Sequence, residues 1–130
     1  MEAKELMIGN WCAYGVNCKG RVTALTEHLI TLSVDGNEIN GLYMLMPDMV
    51  RPIPLTEEIL EKNGFDRQYY DDGNSYWWAV FDGWFNVNFD HSECSEGEFR
   101  CVGFSDLVIN YVHQLQHLLR LCGIEEEISI

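Results

Sequence analysis

Two histidines, His113 and His117, lie four residues apart near the carboxyl end of the chain. On a helix this spacing places both imidazoles on one face, where they could coordinate a metal ion. A metal-dependent enzyme that uses this pair is therefore one hypothesis for the chain. The alternative is a hydrogen-bonding helix face, because two ligands do not make a metal site and no carboxylate stands at a matching helical position.

Other groups of reactive residue types are weaker candidates for chemistry. His91, Cys94 and Cys101 could supply three metal ligands, but their spacing is not that of a zinc knuckle. Asp71-Asp72 could pair as acid and base, yet the Gly-Asn pair that follows indicates a turn. Ser105-Asp106 lacks the glycines of a nucleophile elbow, and no phosphate-binding or dinucleotide-binding fingerprint occurs. We therefore predict no enzyme, no metal and no cofactor.

Net charge limits the kinds of partner. The 130 residues include 8 Lys+Arg and 21 Asp+Glu, a formal net charge of −13. Residues 1–55 carry six acids and four bases, whereas residues 56–130 carry fifteen acids and four bases. Direct binding of nucleic acid or of an anionic membrane is not expected of such a chain. A second hypothesis is an acidic mimic of the DNA backbone that inhibits a host nuclease or DNA-binding protein.

Cysteine usage and hydropathy predict the compartment. The cysteine count is odd and no C-x-x-C pair occurs, which argues against a disulfide framework. No apolar run approaches the 18–20 residues or so that would span a membrane, and the charged start lacks the apolar core of a signal peptide. We expect a protein of the bacterial cytosol with five reduced thiols, at Cys12, Cys18, Cys94, Cys101 and Cys122.

An aromatic hairpin is the most distinctive feature of the second half. Asp82-Gly83 is a strong turn signal, and a two-residue loop there pairs Phe81 with Trp84. In that register one face is wholly apolar and is expected in the core. It carries Tyr76, Trp78, Val80, Phe85, Val87 and Phe89.

The opposite hairpin face is the predicted partner-binding surface. Its apolar side chains are Trp77, Ala79, Phe81 and Trp84, and aromatic side chains left in water are typical of an interface. The alternative is a second core, covered by the barrel or by the last helix. The predicted partner-binding residues are Trp77, Phe81, Trp84, Asn86, Asn88, His113 and His117.

Helices are predicted at two places. Thr56 is a good N-cap before two glutamates. Asn63-Gly64 predicts a helix end with glycine in the left-handed conformation, which lets Phe65 fold back on Leu60. In the second helix, apolar side chains share a stripe about 120° wide, with Asn110 as the expected N-cap. Gly123 ends it, and both histidines are expected to point away from the buried stripe. The stripe comprises Tyr111, Val112, Leu115, Leu118, Leu119 and Cys122.

Short strands dominate the first part. Leu6–Trp11, Gly20–Leu25 and His28–Val34 alternate with turn residues, and Gly41–Met46 and Met49–Pro54 read as further extended segments. Five short strands in about 50 residues favour an SH3-like or KOW-like small barrel.

Several segments resemble a known family. IPLTEEILEKNGF (Ile53 to Phe65) and YVHQLQHLL (Tyr111 to Leu119) are similar to two signature segments of small uncharacterised proteins encoded by prophages and conjugative elements of gut bacteria. KELMIGNW near the start resembles that family's opening, although members often have a basic residue in place of Met7. Members also often have Asn followed by aromatics in place of His117 to Leu119. The resemblance implies a mobile-element origin and no particular activity.

These observations predict an α+β protein. Residues 1–54 form an SH3-like small β-barrel. Residues 55–130 form an α+β subregion in the same compact unit, with a short helix, an antiparallel meander and a C-terminal amphipathic helix packed on the sheet. The expected function is a non-enzymatic accessory protein that binds a host or phage protein. The predicted elements are helix 56–63, strands 75–81, 84–90 and 98–104, and helix 110–122.

Overall fold

The computed structural model describes residues 1–34, 42–72, 75–91, 99–101 and 107–130. Within them lie two antiparallel sheets and two helices, so the fold is α+β. Contacts divide the chain into two compact units, Met1–Ile53 with Tyr111–His113, and Pro54–Asn110 with Gln114–Ile130. The strands are β1 (Trp11–Tyr14), β2 (Cys18–Leu25), β3 (Ile30–Ser33), β4 (Leu42–Leu45), β5 (Val50–Arg51), β6 (Asp66–Tyr69), β7 (Ser75–Phe81), β8 (Phe85–His91), β9 (Phe99–Cys101) and β10 (Val108–Ile109); the helices are α1 (Glu57–Lys62) and α2 (Val112–Leu121).

The first sheet has the order β4-β3-β2-β1-β5, and its two edge strands do not pair with each other within the described residues. Alternate side chains turn to one face and form a core. The predicted strand Leu6–Trp11 is wrong. Ala3–Glu5 form a 3₁₀ turn, and Asn10 Oδ1 accepts a hydrogen bond from Met7 N–H at 2.7 Å, so the strand starts only at Trp11. The buried core residues are Leu6, Cys12, Val22, Ile30, Leu32 and Val50.

The second unit contains the sheet β10-β9-β8-β7-β6 and the helix α1. Thr56 Oγ1 accepts from Ile59 N–H at 3.3 Å, as expected of an N-cap. At the other end Gly64 has φ of 84° and Phe65 N–H donates to Leu60 O at 3.0 Å. Both ends of α1 are therefore confirmed.

The hairpin register differs from the prediction by one residue. Asp82 and Gly83 occupy the turn with positive φ values of 54° and 74°, and Trp84 N–H closes it on Phe81 O at 3.2 Å. Trp84, however, does not enter the ladder, and Phe81 pairs with Phe85. Trp84 is thus an extra residue of the kind that makes a β-bulge.

That one residue reverses the two faces of β7, because side chains alternate along a strand. The buried residues of β7 are Ser75, Trp77, Ala79 and Phe81, not Tyr76, Trp78 and Val80. Val87 and Phe89 of β8 are buried as predicted. Phe65 completes the core, with its ring centroid 5.7 Å from that of Phe81 and 5.6 Å from that of Phe89.

The predicted apolar stripe of α2 is confirmed. Val112, Leu115, Leu118 and Leu119 are buried, whereas Leu121 is 87% exposed. Gly123 has φ of 75°, and Ile124 N–H donates to Leu119 O at 2.9 Å, which is the predicted ending.

The predicted start of α2 is wrong. The helix begins at Val112 rather than at 110, because Asn110 still forms extended-chain contacts. The carbonyl of Asn110 accepts a hydrogen bond from Leu55 N–H at 2.9 Å, and the N–H of Asn110 donates to Gln114 Oε1 at 2.8 Å. His113 is buried, and its ring stacks on that of Tyr111.

Truncation of Leu115 tests the phase of the helix. Leu115 is fully buried, so Leu115→Ala removes buried methyl groups and leaves a cavity. We expect the free energy of unfolding to fall by about 2 to 5 kcal/mol. Leu121→Ala on the exposed side is the matched control and should change it by less than about 0.5 kcal/mol. Equal urea midpoints for the two variants would show that the stripe is misassigned.

Candidate functional site

The predicted partner-binding residues do not share one surface. Trp77 and Phe81 are buried in the core of the second unit and cannot form an exposed patch. Trp84 is 68% exposed at the hairpin turn, where its ring packs edge-on against Phe85 at 5.6 Å. The register shift accounts for the error, since it exchanges the inner and outer side chains of β7.

A different set of side chains forms the solvent-facing side of the second sheet. We call it the outer face and define it by Tyr76, Trp78, Val80, Asn86 and Asn88. Across the strands Val80 lies opposite Asn86, and Trp78 lies opposite Asn88. Val80 is 47% exposed, while Tyr76, Trp78 and Asn88 each retain part of their surface in water. Asn86 is exposed and Asn88 is half-buried, and their cross-strand neighbours differ from those that the sequence predicted.

Charged and polar groups extend this face toward its edges. Asp66 and Gln68 of β6 lie opposite Trp78 and Tyr76. On the other side Asp90 lies opposite both Tyr76 and Arg100, and Arg100 lies opposite Val108. The rings of Tyr76 and Trp78 and the side chain of Val80 therefore lie among amide, carboxylate and guanidinium groups.

Tyr70 closes one end of the outer face. Its hydroxyl donates to Asp90 Oδ1 at 2.9 Å, and its ring centroid lies 4.8 Å from that of Tyr76. Burial first, and then the hydrogen bond to Asp90, raise the pKa of Tyr70. Its phenol consequently remains a neutral donor at physiological pH and fixes the orientation of Asp90. The sequence held no signal for this contact, which joins residues twenty positions apart.

The two helical histidines do not form a shared exposed site. The buried His113 ring stacks on Tyr111 with a centroid separation of 5.8 Å and an interplanar angle of 15°. His117 is half-buried, and its pKa is lowered, first by burial and then by the charge of Arg120. These surroundings favour the neutral imidazole form of His117.

No cluster of three His, Cys, Asp or Glu side chains suited to a metal ion occurs within the described residues. The candidate set of His91, Cys94 and Cys101 lies partly outside them, because Cys94 and the side chain of His91 are not described. Asp71 and Asp72 are exposed in a turn, as the sequence indicated, and Ser105-Asp106 again lie outside the described part.

The buried thiols are poorly suited to nucleophilic chemistry. Burial raises the pKa of the Cys12 thiol to about 12, so the reactive thiolate is scarce at neutral pH. Burial and the neighbouring Cys122 also raise the pKa of Cys101. Both side chains serve as small apolar core residues.

Comparison with protein-family models, curated proteins and solved structures gave no significant match. In the described residues no helix has the length and apolar character needed to cross a membrane.

Acidification tests the environment of His117. Because its folded pKa lies below the ordinary 6.5, the unfolded chain binds the proton more readily. The stability contributed by neutral His117 is complete above pH 6.5 and is lost as the pH falls from there through the lowered folded value. We therefore expect the urea midpoint of the parent to fall more between pH 7 and about 5.5 than that of His117→Gln.

The control for simple loss of a histidine is His28→Gln, since His28 is fully on the surface. A pH dependence in His117→Gln as steep as that of the parent contradicts the assignment.

Proposed function

We propose that the protein is a non-enzymatic binding protein and that the outer face of the second sheet is its interface with a protein partner. The supporting observation is the row of Tyr76, Trp78 and Val80 on the side of β7 that does not enter the core. Aromatic side chains flanked by amides and an arginine have the composition of energetic centres in protein interfaces. A rigid, hydrogen-bonded hairpin also presents them with little loss of conformational entropy on binding.

The chemistry of this face favours a protein over other partners. The amides of Asn86 and Asn88 supply donors and acceptors that can pair with a polypeptide backbone or side chains. The carboxylates of Asp66 and Asp90 beside the outer face disfavour a phosphate backbone. Arg100 is the single cation among the described residues on this side of the sheet. A protein surface with mixed polarity and a small apolar centre matches these groups.

The origin of the chain narrows the class of partner. Resemblance to proteins encoded by prophages and conjugative elements supports a role as an accessory protein of a mobile element in the bacterial cytosol. The partner is then a host or phage protein.

Two finer features of the fold belong to the same proposal. The first unit is an SH3-like small barrel, supported by five short antiparallel strands around one core. The apolar stripe of α2 packs on the buried side of the second sheet. This is supported by the burial of Leu115, Leu118 and Leu119 in the same unit as Trp77 and Phe89.

Affinity capture with matched surface variants tests the interface. The parent is immobilised and exposed to a lysate of a gut bacterium, and captured proteins are identified by mass spectrometry. Val80→Asp places a charge at the apolar centre of the outer face, and Asn86→Arg places a long cation beside it. We expect one captured protein to be lost at least about tenfold with each variant, a change of 1.4 kcal/mol or more in binding.

The control is Leu121→Asp, which alters an exposed apolar residue on α2 instead. It should capture the same protein as the parent, and thermal melting must show that all three variants remain folded. Recovery of chaperones alone, or equal capture by the parent and both outer-face variants, counts against the proposal.

A further inference from the structure

The strands of the first sheet carry a net charge opposite to that of the chain as a whole. Its five strands contain three cations, Lys19, Arg21 and Arg51, and no Asp or Glu. The full chain has a net charge of −13. Three of its eight basic residues therefore lie in strands that contain no acidic residue.

The strand register places all three cations on one face. Lys19 and Arg51 both lie opposite Ala13, one on each side of β1. Their Cα atoms are consequently about 10 Å apart, twice the spacing between neighbouring strands. Arg21 follows Lys19 by two residues on β2, so it lies on the same face. The Cα atoms of Lys19 and Arg21 are about 7 Å apart. Ala13, which lies between Lys19 and Arg51, has a small side chain.

Two contacts hold the arginines in place. Arg21 lies over the ring of Trp11, with its guanidinium carbon 4.7 Å from the ring centroid. Arg51 Nη2 donates to Gly15 O at 2.6 Å while the residue remains exposed. Lys19 and Arg51 form no ion pair with any acid in the described ranges.

The same face becomes apolar toward β4. Leu42 lies opposite Ser33, which in turn lies opposite Arg21, and Met44 lies opposite Thr31. Leu42 is 66% exposed and Met44 is 70% exposed. The face thus combines cations on β2 and β5 with two exposed aliphatic side chains on the edge strand β4.

We propose that this face binds an extended acidic peptide segment of a partner protein, with carboxylates over Lys19, Arg21 and Arg51 and apolar side chains over Leu42 and Met44. The cations attract the carboxylates of the peptide, and the exposed aliphatic side chains contact its apolar residues. Single-stranded nucleic acid fits less well, because it requires exposed rings for base stacking and Trp11 is buried beneath Arg21. This face is separate from the outer face of the second sheet and does not depend on that proposal.

A labelled peptide of about twelve residues is long enough to cross the face, since an extended chain rises about 3.3 Å per residue. The probe has four glutamates, a glycine-serine spacer and two leucines, and its binding is followed by fluorescence anisotropy. We expect Lys19→Glu with Arg51→Glu to weaken binding at least about tenfold, equivalent to 1.4 kcal/mol. Leu42→Asp should also weaken it, and binding should decline as salt is added.

Three comparisons make the result decisive. Lys4→Glu changes an exposed lysine of the same unit and should bind like the parent, whereas Lys19→Glu alone should not. Val80→Asp should also bind like the parent, which separates this site from the outer face of the second sheet. A peptide with glutamine in place of glutamate should bind much more weakly. The proposal is overturned if the parent does not bind the acidic peptide, if the glutamine peptide binds equally, or if an oligothymidylate binds more tightly.

Discussion

The turn at Asp82 and Gly83 determines the organisation of the second unit. Because Trp84 stays outside the ladder, Phe81 pairs with Phe85, and this single pairing fixes the register of both strands. Trp77 and Phe81 then turn inward with Val87 and Phe89. The same choice turns Tyr76, Trp78 and Val80 outward, so the core and the candidate interface have one common cause.

The bulge was difficult to predict because both faces of β7 are apolar. One set of alternate side chains contains Tyr76, Trp78 and Val80, and the other contains Trp77, Ala79 and Phe81. In most strands a polar set identifies the solvent side, but here the two sets are nearly balanced. The register then depends on contacts distant in sequence, such as the packing of Phe65 between Phe81 and Phe89. Trp84 and Asn86 lie at the surface, whereas the aromatic residues of β7 were assigned to the wrong sides.

Features encoded within a few residues were predictable. The N-cap at Thr56 and the glycine endings at Gly64 and Gly123 depend on backbone geometry that neighbouring side chains specify. The buried stripe of α2 follows from helical periodicity. The strand β6 was missed because all four of its residues are exposed, so it has no hydrophobic alternation. His113 stacks on Tyr111, which lies just before the helix, and helical phase gives no guidance on that contact.

The two sheets also show why net charge is a poor description of an individual surface. The strands of the first sheet contain Lys19, Arg21 and Arg51 without an acid, although the chain carries an excess of thirteen negative charges. Attraction between exposed groups is screened beyond about 8 Å at physiological ionic strength, so a bound segment responds mainly to the charges nearest to it. The overall charge of a chain governs its long-range behaviour, whereas the register of its strands decides which charges a docked partner meets. The argument from net charge against anionic partners therefore does not extend to the strands of the first sheet, whose charged side chains are all cations.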